Sequence, residues 1–199
     1  VLVVRAAPAS AAPQAVAAWL DSLAGTYPRD DIDALRAAFD YMQQRADAQA
    51  TADGEKLVDR ALATAGIVAG LKLDPASIRG ALLAVLPAAK AFDAADVASR
   101  FGDDVSGLVA GVARMDSIRA RRVGATPEER SAQSENLRKM LLAMVEDIRV
   151  VILKLAERLA ALRWLMSGDE SLRRESAREV LGLYAPLANR LGVWQLKWE

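Results

Sequence analysis

The side chains that could do chemistry in this 199-residue chain are carboxylates, hydroxyls, amines and guanidinium groups, because the sequence contains no histidine and no cysteine. Histidine is the side chain whose ordinary pKa lies nearest neutrality, and it is the commonest transition-metal ligand. The lack of cysteine removes disulfides, thiolate zinc sites and a thiol nucleophile. A metal site would have to be built from oxygen ligands alone, which suit magnesium or calcium.

Glu157 has cationic neighbours on both sides, with Lys154 three residues before it and Arg158 directly after it. At helical spacing such a carboxylate pairs with these cations. The alternative is an oxygen-ligand metal site built from Glu157 with Asp93 or Asp147. No three acidic residues near Glu157 have a spacing that brings them to one helical face, so the sequence favours the ion pair.

Arginines offer two possible anion sites. The run at Arg119, Arg121 and Arg122 could contact RNA or another acidic partner, and the Arg60 guanidinium could hold a phosphate. However, lysine plus arginine and aspartate plus glutamate both total 26, so the chain has no net charge. It does not concentrate phosphate polymers or acidic lipids around itself, and we interpret the run as solvated surface.

The elements that position these residues are predicted to be helices throughout. Apolar residues make up 53% and charged residues 26% of the chain, as in soluble globular proteins. The apolar residues recur at helical spacing, and no alternating stretch is long enough to indicate a sheet. Caps and first-turn prolines at Asp74-Pro75, Asp93 and Thr126-Pro127 begin helices. We predict an all-α bundle of roughly nine to ten helices.

Two apolar stripes indicate the core of the second half. Leu137, Met140, Leu141, Met144 and Val145 share one helical face, and a central helix follows from Ile148 to Met166. The methionines are interpreted as core residues rather than as part of a cofactor site.

The ends of the chain favour a segment cut from a longer protein. Val1 to Arg5 is too short for a signal peptide or a membrane span, and the sequence ends within a helical pattern. Trp194 and Trp198 are interpreted as anchors toward a domain that follows.

Three segments resemble the RelA/SpoT family: Phe101-Gly102 with Val105 to Val112, ENLRKMLLAMVEDIRVVILKLAERL from Glu135, and YAPLANRLGVWQLKWE from Tyr184. The resemblance extends more weakly from about Ala34 to the end. It implies an all-α, HD-type domain, which in active members uses manganese to hydrolyse the 3′-pyrophosphate of (p)ppGpp, followed by a synthetase domain. On this basis residues 1–192 are the HD-type domain, and residues 193–199 begin the connection to the synthetase.

The resemblance also places the family's hydrolase motifs, which are a histidine before proline, a His-Asp pair, a Glu-Asp pair and an Asp-Arg-Leu-His-Asn run. These vestigial hydrolase positions carry Arg60, Ala84, Val85, Ala88, Ala89, Glu157, Ala160 and Ala161 in this chain. Thr51 and Ala46 stand where an arginine and a histidine are expected, whereas Gln49 and Gly54 match the pattern. Only Glu157 retains a possible metal ligand, so we expect no catalytic residue, no metal and a cleft packed shut by alanines.

The resemblance therefore implies an inactive, hydrolase-like regulatory domain of a RelA-type GTP pyrophosphokinase, an enzyme of the stringent response. No cofactor is expected in this chain; the synthetase would use Mg²⁺, ATP and GTP or GDP. The implied partners are the synthetase domain and, through other regions, the ribosome and tRNA. We expect a cytoplasmic location and no membrane contact. An active hydrolase with a displaced oxygen-ligand site and a non-enzymatic helical adaptor remain as alternatives.

Overall fold

The computed structural model describes residues 11–120, 147–166, 168 and 170–193. All regular elements in these ranges are helical, as predicted, and β pairing within them is confined to one isolated bridge between Ala50 and Lys56. The predicted helix with Leu137 and Met144, the side chains of the arginine run, and Trp194 and Trp198 lie outside the described residues. None of the described helices is both long and apolar enough to span a membrane.

The chain divides into two compact units, Val1–Ala110 and Gly111–Glu199. The described part of the first unit contains α1 (Pro13–Leu23), α2 (Arg29–Ala46), α3 (Leu57–Gly70), α4 (Pro75–Leu83), α5 (Ala94–Phe101) and the first part of α6 (Asp103–Ala120). The second unit contains the end of α6, α7 (Ile148–Leu165), α8 (Glu170–Glu179) and α9 (Ala185–Arg190), with a π-helical turn, Val180–Tyr184, joining the last two.

Within the described residues the number of helices differs slightly from the prediction. Residues 170–190 are continuously helical, and counting them as one helix gives eight in the described ranges, against the nine to ten predicted. The last helix was predicted from Leu172 to Tyr184 and instead continues through the π-turn to Arg190.

Acidic caps fix several helix starts in the first unit. The Asp74 carboxylate accepts a hydrogen bond from the Ser77 backbone N–H at 3.0 Å, and Asp93 accepts from the backbone N–H groups of Ala95 and Asp96. These three bonds satisfy donors that have no partner within their own helix. The caps predicted at Asp74 and Asp93 are therefore confirmed, whereas the cap predicted at Thr126 lies outside the described residues.

The end of the α4 helix is set by Pro87. The apolar pattern runs from Ile78 to Ala89 with Pro87 predicted to kink or end the helix, and the helix ends at Leu83 with a series of turns following. A proline ring clashes with the carbonyl four residues earlier, which here belongs to Leu83. Ala84 to Ala89 consequently lie on turns, not on a helix.

The core of the first unit lies around α3. Nearly every residue of this helix is buried, including Val58, Leu62 and Ile67, as expected for a helix that is apolar on all sides. It packs against α4, which also packs against α2.

The second unit is organised by α7. The Asp147 carboxylate caps this helix by accepting from the Arg149 backbone N–H at 2.8 Å. Near its start α7 comes close to α6 at Gly111, where a Cβ atom would lie 2.6 Å from a Val150 methyl carbon. Glycine permits this close approach of the two helices.

Candidate functional site

Arg60, which the family resemblance places at the position of the first metal ligand, is buried on α3. The residue is only 4% exposed, and its Nε donates to Glu55 Oε2 at 2.5 Å. A second contact joins Nη2 to the same carboxylate oxygen, and Glu55 is itself only 3% exposed. The guanidinium proposed as a phosphate ligand is therefore already paired with a carboxylate inside the fold.

Glu55 belongs to residues 47–56, which we call the Gln49 loop. The backbone N–H of Thr51 donates to the Glu55 carbonyl at 2.8 Å, and the Thr51 hydroxyl accepts from the Glu55 N–H. Gly54 adopts a φ of 89°, a conformation that strongly favours glycine. Thr51, which stands where the family has an arginine, thus closes the loop on itself.

The Gln49 side chain connects this loop to another vestigial position. The side-chain Nε2 donates to the Ala89 carbonyl at 3.2 Å, and the Gln49 backbone carbonyl accepts from the Leu57 backbone N–H at 2.9 Å. Gln49 is one of the residues that match the family pattern, and here it supports the loop.

The residues that the resemblance places at the His-Asp and Glu-Asp pairs lie on the turns after α4. Val85 and Ala89 are buried, Ala84 is half-buried and Ala88 is exposed. Their apolar side chains offer no metal ligand and no acid or base. Because Ala88 is exposed, its side chain is not packed within the first unit. That alanines close the former cleft stays a prediction.

Glu157 lies on α7 in the second unit, between its two predicted partners. Its carboxylate contacts the Lys154 ammonium and the Arg158 guanidinium, with Arg158 Nη2 2.5 Å from Oε1. Lys154 is only 1% exposed and also pairs with Asp116 Oδ1 at 2.5 Å. The ion pair with Lys154 has the spacing expected on a helix, Arg158 pairs with Glu157 as well, and α6 contributes a second carboxylate.

The charges around Glu157 hold it in the ionised form. Burial alone would raise the pKa of Glu157, but the neighbouring cations Lys154 and Arg158 lower it well below its ordinary value. Burial would likewise lower the pKa of Arg158, but Glu157, Tyr184 and Glu179 raise it. Glu157 is therefore a permanently charged member of an ion-pair network.

The histidine and asparagine positions that follow Glu157 carry Ala160 and Ala161, and both are buried. The alternative ligands are also engaged: Asp93 caps α5, while Asp147 caps α7 and binds the Arg149 side chain, which lowers the pKa of Asp147. Across the part of the chain that the structure describes, no three acidic side chains converge as a metal site would require. The manganese ion that the family resemblance implies does not fit these residues.

Two features of the site were missed by sequence reasoning. The Lys154–Asp116 pair joins residues 38 positions apart, and no local spacing indicates it. The Arg60–Glu55 pair joins residues five apart, but only the folded loop brings Glu55 back toward α3. A signal for the second pair existed, since a cation at a buried helical position requires a nearby carboxylate.

A model of the HD domain matches residues 38–194. The bifunctional (p)ppGpp synthase/hydrolase SpoT of Escherichia coli K12 is 38% identical over 181 residues, which cover 90% of this chain and 25% of SpoT. The chain belongs to the RelA/SpoT-type HD-domain family.

Two further relatives of this HD domain carry different activities in their names. The GTP pyrophosphokinase of E. coli K12 is 38% identical over 181 residues, covering 91% of this chain and 24% of that protein. A guanosine-3′,5′-bis(diphosphate) 3′-pyrophosphohydrolase of Vibrio cholerae is 37% identical over 168 residues, which cover 84% of this chain and 23% of that protein. The HD domain thus spans about a quarter of the length of these relatives, and overall identity does not separate the hydrolases from the synthetase.

Proposed function

We propose that this chain is a catalytically inactive, (p)ppGpp hydrolase-like HD domain that regulates a RelA-type GTP pyrophosphokinase. The observation that carries the proposal is the state of Glu157. It is the only possible metal ligand left at the vestigial hydrolase positions, and Lys154 and Arg158 both engage it.

The chemistry of the reaction supports this proposal. A divalent metal in a hydrolase must bind tightly and lower the pKa of its bound water, which requires several preorganised donors. Here the Arg60 position contributes a cation, and the positions from Ala84 to Ala89 and at Ala160 and Ala161 contribute no donor side chain. One carboxylate neutralised by two cations can neither bind a metal tightly nor lower the pKa of its bound water.

The remaining parts of the proposal concern the longer protein. A synthetase domain would follow this one in the same chain and transfer pyrophosphate from ATP to GTP or GDP with Mg²⁺. Ribosome and tRNA would act through other regions of that protein, in the cytoplasm. The HD domain itself would hold no cofactor and would influence the synthetase through the helices from Leu172 onward.

A hydrolysis assay on the full-length protein tests the loss of activity. We expect no release of pyrophosphate from ppGpp at any Mn²⁺ concentration and no metal retained after dialysis, with the bifunctional E. coli relative as a positive control. Measurable turnover together with one bound manganese per chain would refute the proposal.

The same assay decides the second candidate, an active hydrolase with a displaced oxygen-ligand site. This candidate is favoured by the relatives named as hydrolases, which are as similar to the chain as the GTP pyrophosphokinase is. If turnover occurs, Glu157→Gln should abolish it under this second candidate. The exposed Glu170→Gln serves as the matched control.

Regulation is tested by measuring (p)ppGpp synthesis. We would compare the full-length protein with a form lacking residues 1–170 and with Trp194→Ala. A changed rate or nucleotide affinity in either variant supports regulation. Identical rates and affinities in all three would mean that the domain is a passive remnant.

A further inference from the structure

The Gln49 loop is held by contacts to two of the vestigial hydrolase positions. Glu55 joins the loop to Arg60 on α3, and Gln49 joins it to the Ala89 carbonyl after α4. Both contacts lie within the first unit. The loop is therefore attached at the vestigial site by side chains of the protein itself.

The Arg60–Glu55 pair is the stronger of these attachments. Both partners are more than nine-tenths buried, and two guanidinium nitrogens contact one carboxylate oxygen. Removing one member of such a pair leaves an uncompensated charge in the interior, which is far more costly than losing an exposed ion pair. Glu55 can therefore leave α3 only at a large free-energy cost, and the loop must move with it.

Backbone hydrogen bonds transmit this restraint along the loop. Thr51 N–H donates to the Glu55 carbonyl, Gly54 N–H to the Thr51 carbonyl at 3.0 Å, and Leu57 N–H to the Gln49 carbonyl. A restraint on Glu55 thereby fixes residues on both sides of it, including Gln49.

We propose that the Arg60–Glu55 pair is a built-in replacement for a bound ligand, and that it holds the Gln49 loop in one arrangement whether or not divalent metal or guanine nucleotide is present. The inference rests on the proposed function, because it assumes that metal no longer binds at the Arg60 position. Because the loop is ordered by the protein's own charges, its arrangement does not depend on nucleotide concentration. The HD domain therefore acts on its neighbour in the same way with and without bound ligand.

Hydrogen exchange of the full chain tests the restraint. In Arg60→Met and in Glu55→Gln, amides of residues 49–57 should exchange about 100-fold faster or more, because each variant removes one member of the buried ion pair. The double variant should show a smaller rise, about tenfold, because it leaves no buried charge. It also preserves the test if the single variants fail to fold.

A matched control is Arg174→Met, which breaks the exposed Arg174–Glu170 pair and should leave exchange in the loop unchanged. Wild-type protection of residues 49–57 in the double variant would overturn the proposal, since the pair would then not be what holds the loop.

The second arm measures exchange of the wild-type loop with Mn²⁺ alone and with Mn²⁺ plus ppGpp. We expect no added protection at residues 49–57. Ligand-dependent protection would overturn the inference, even if hydrolysis remains absent. Hydrolysis with an unchanged loop would instead refute the proposed function and leave the restraint by Arg60 and Glu55 standing.

Discussion

The Lys154 ammonium contacts the Glu157 carboxylate one helical turn later on α7, and the same ammonium reaches Asp116 on α6. Burying a side chain of this kind is costly unless such partners surround it. Arg158 extends the network toward Glu179, 3.9 Å away at the end of α8. Three helices of the second unit are thus joined by alternating charges.

The first prediction concerns the acid stability that Glu157 provides. The pKa of Glu157 in the folded protein lies below its ordinary value of 4.5, so the unfolded state takes up a proton first as the pH falls. The stabilisation is complete above that ordinary value and decreases below it. When the pH falls from 5 to 3, the free energy of unfolding measured in urea should decrease by at least about 1 kcal/mol more for the wild type than for Glu157→Gln.

Glu170→Gln is the control for this experiment, since it removes a carboxylate whose ion pair with Arg174 is exposed. The free energy of unfolding of this variant should change with pH in parallel with that of the wild type. Parallel profiles for all three proteins would show that Glu157 is not stabilised by its neighbours.

The second prediction concerns the close approach of α6 and α7. Gly111→Ala should destabilise the protein by about 1 to 3 kcal/mol, because its Cβ would overlap the buried, β-branched Val150. The effect should shrink when Gly111→Ala is introduced into a Val150→Ala background. Thermal and urea unfolding measure both changes.

Gly107 on the same helix provides an opposite control. A Cβ there would meet nothing within 4 Å, so Gly107→Ala should stabilise the helix by about 0.5 to 1 kcal/mol. A destabilisation of similar size at both positions would point to a general effect of alanine and not to the contact with Val150.

The third prediction is that restoring the His-Asp pair alone does not restore activity. In Ala84→His/Val85→Asp, the first ligand and the Glu-Asp pair are still missing, so neither bound manganese nor ppGpp hydrolysis is expected. Since Val85 is buried, the new aspartate should also cost about 2 kcal/mol of stability or more. Metal analysis and denaturation measure the two outcomes, and stoichiometric manganese would contradict the first.

The fourth prediction concerns the contact between α2 and α5. The Tyr41 hydroxyl donates to Asp96 Oδ2 at 2.6 Å, and this bond, together with Arg100, lowers the pKa of Asp96. In Tyr41→Phe the pKa of Asp96 should therefore rise toward its ordinary value, as measured by carbon NMR of the carboxylate. Ser99→Ala, which removes a hydroxyl bonded to the Asp96 backbone carbonyl, should leave it unchanged.

Much of the local structure could be predicted because its causes are local. Capping by Asp74 and Asp93 and the pairing of Glu157 with Lys154 involve residues within three positions of one another. The end of α4 is local as well, because the Pro87 ring acts on the carbonyl of Leu83 four residues earlier.

The remaining features depend on the tertiary fold. Asp116 meets Lys154 only because α6 packs against α7, and Glu55 meets Arg60 only because the Gln49 loop folds back. The sequence identified Arg60 as a lost ligand but could not show that its charge is neutralised. The division after Ala110 has no proline, glycine or serine-rich segment to mark it, and it falls within α6.

The π-turn at Val180–Tyr184 contains one residue more than an α-helical turn, because the Ala185 N–H donates to the Val180 carbonyl five residues earlier. The five residues of this wide turn advance the helix through about the same angle as four α-helical residues would. Deleting one residue here would therefore leave a regular α-helix and keep Leu187 and Ala188 on their buried face, whereas the same deletion within α8 would rotate everything that follows by about 100°. Among homologues, a one-residue deletion should therefore be better tolerated between residues 180 and 184 than within α8.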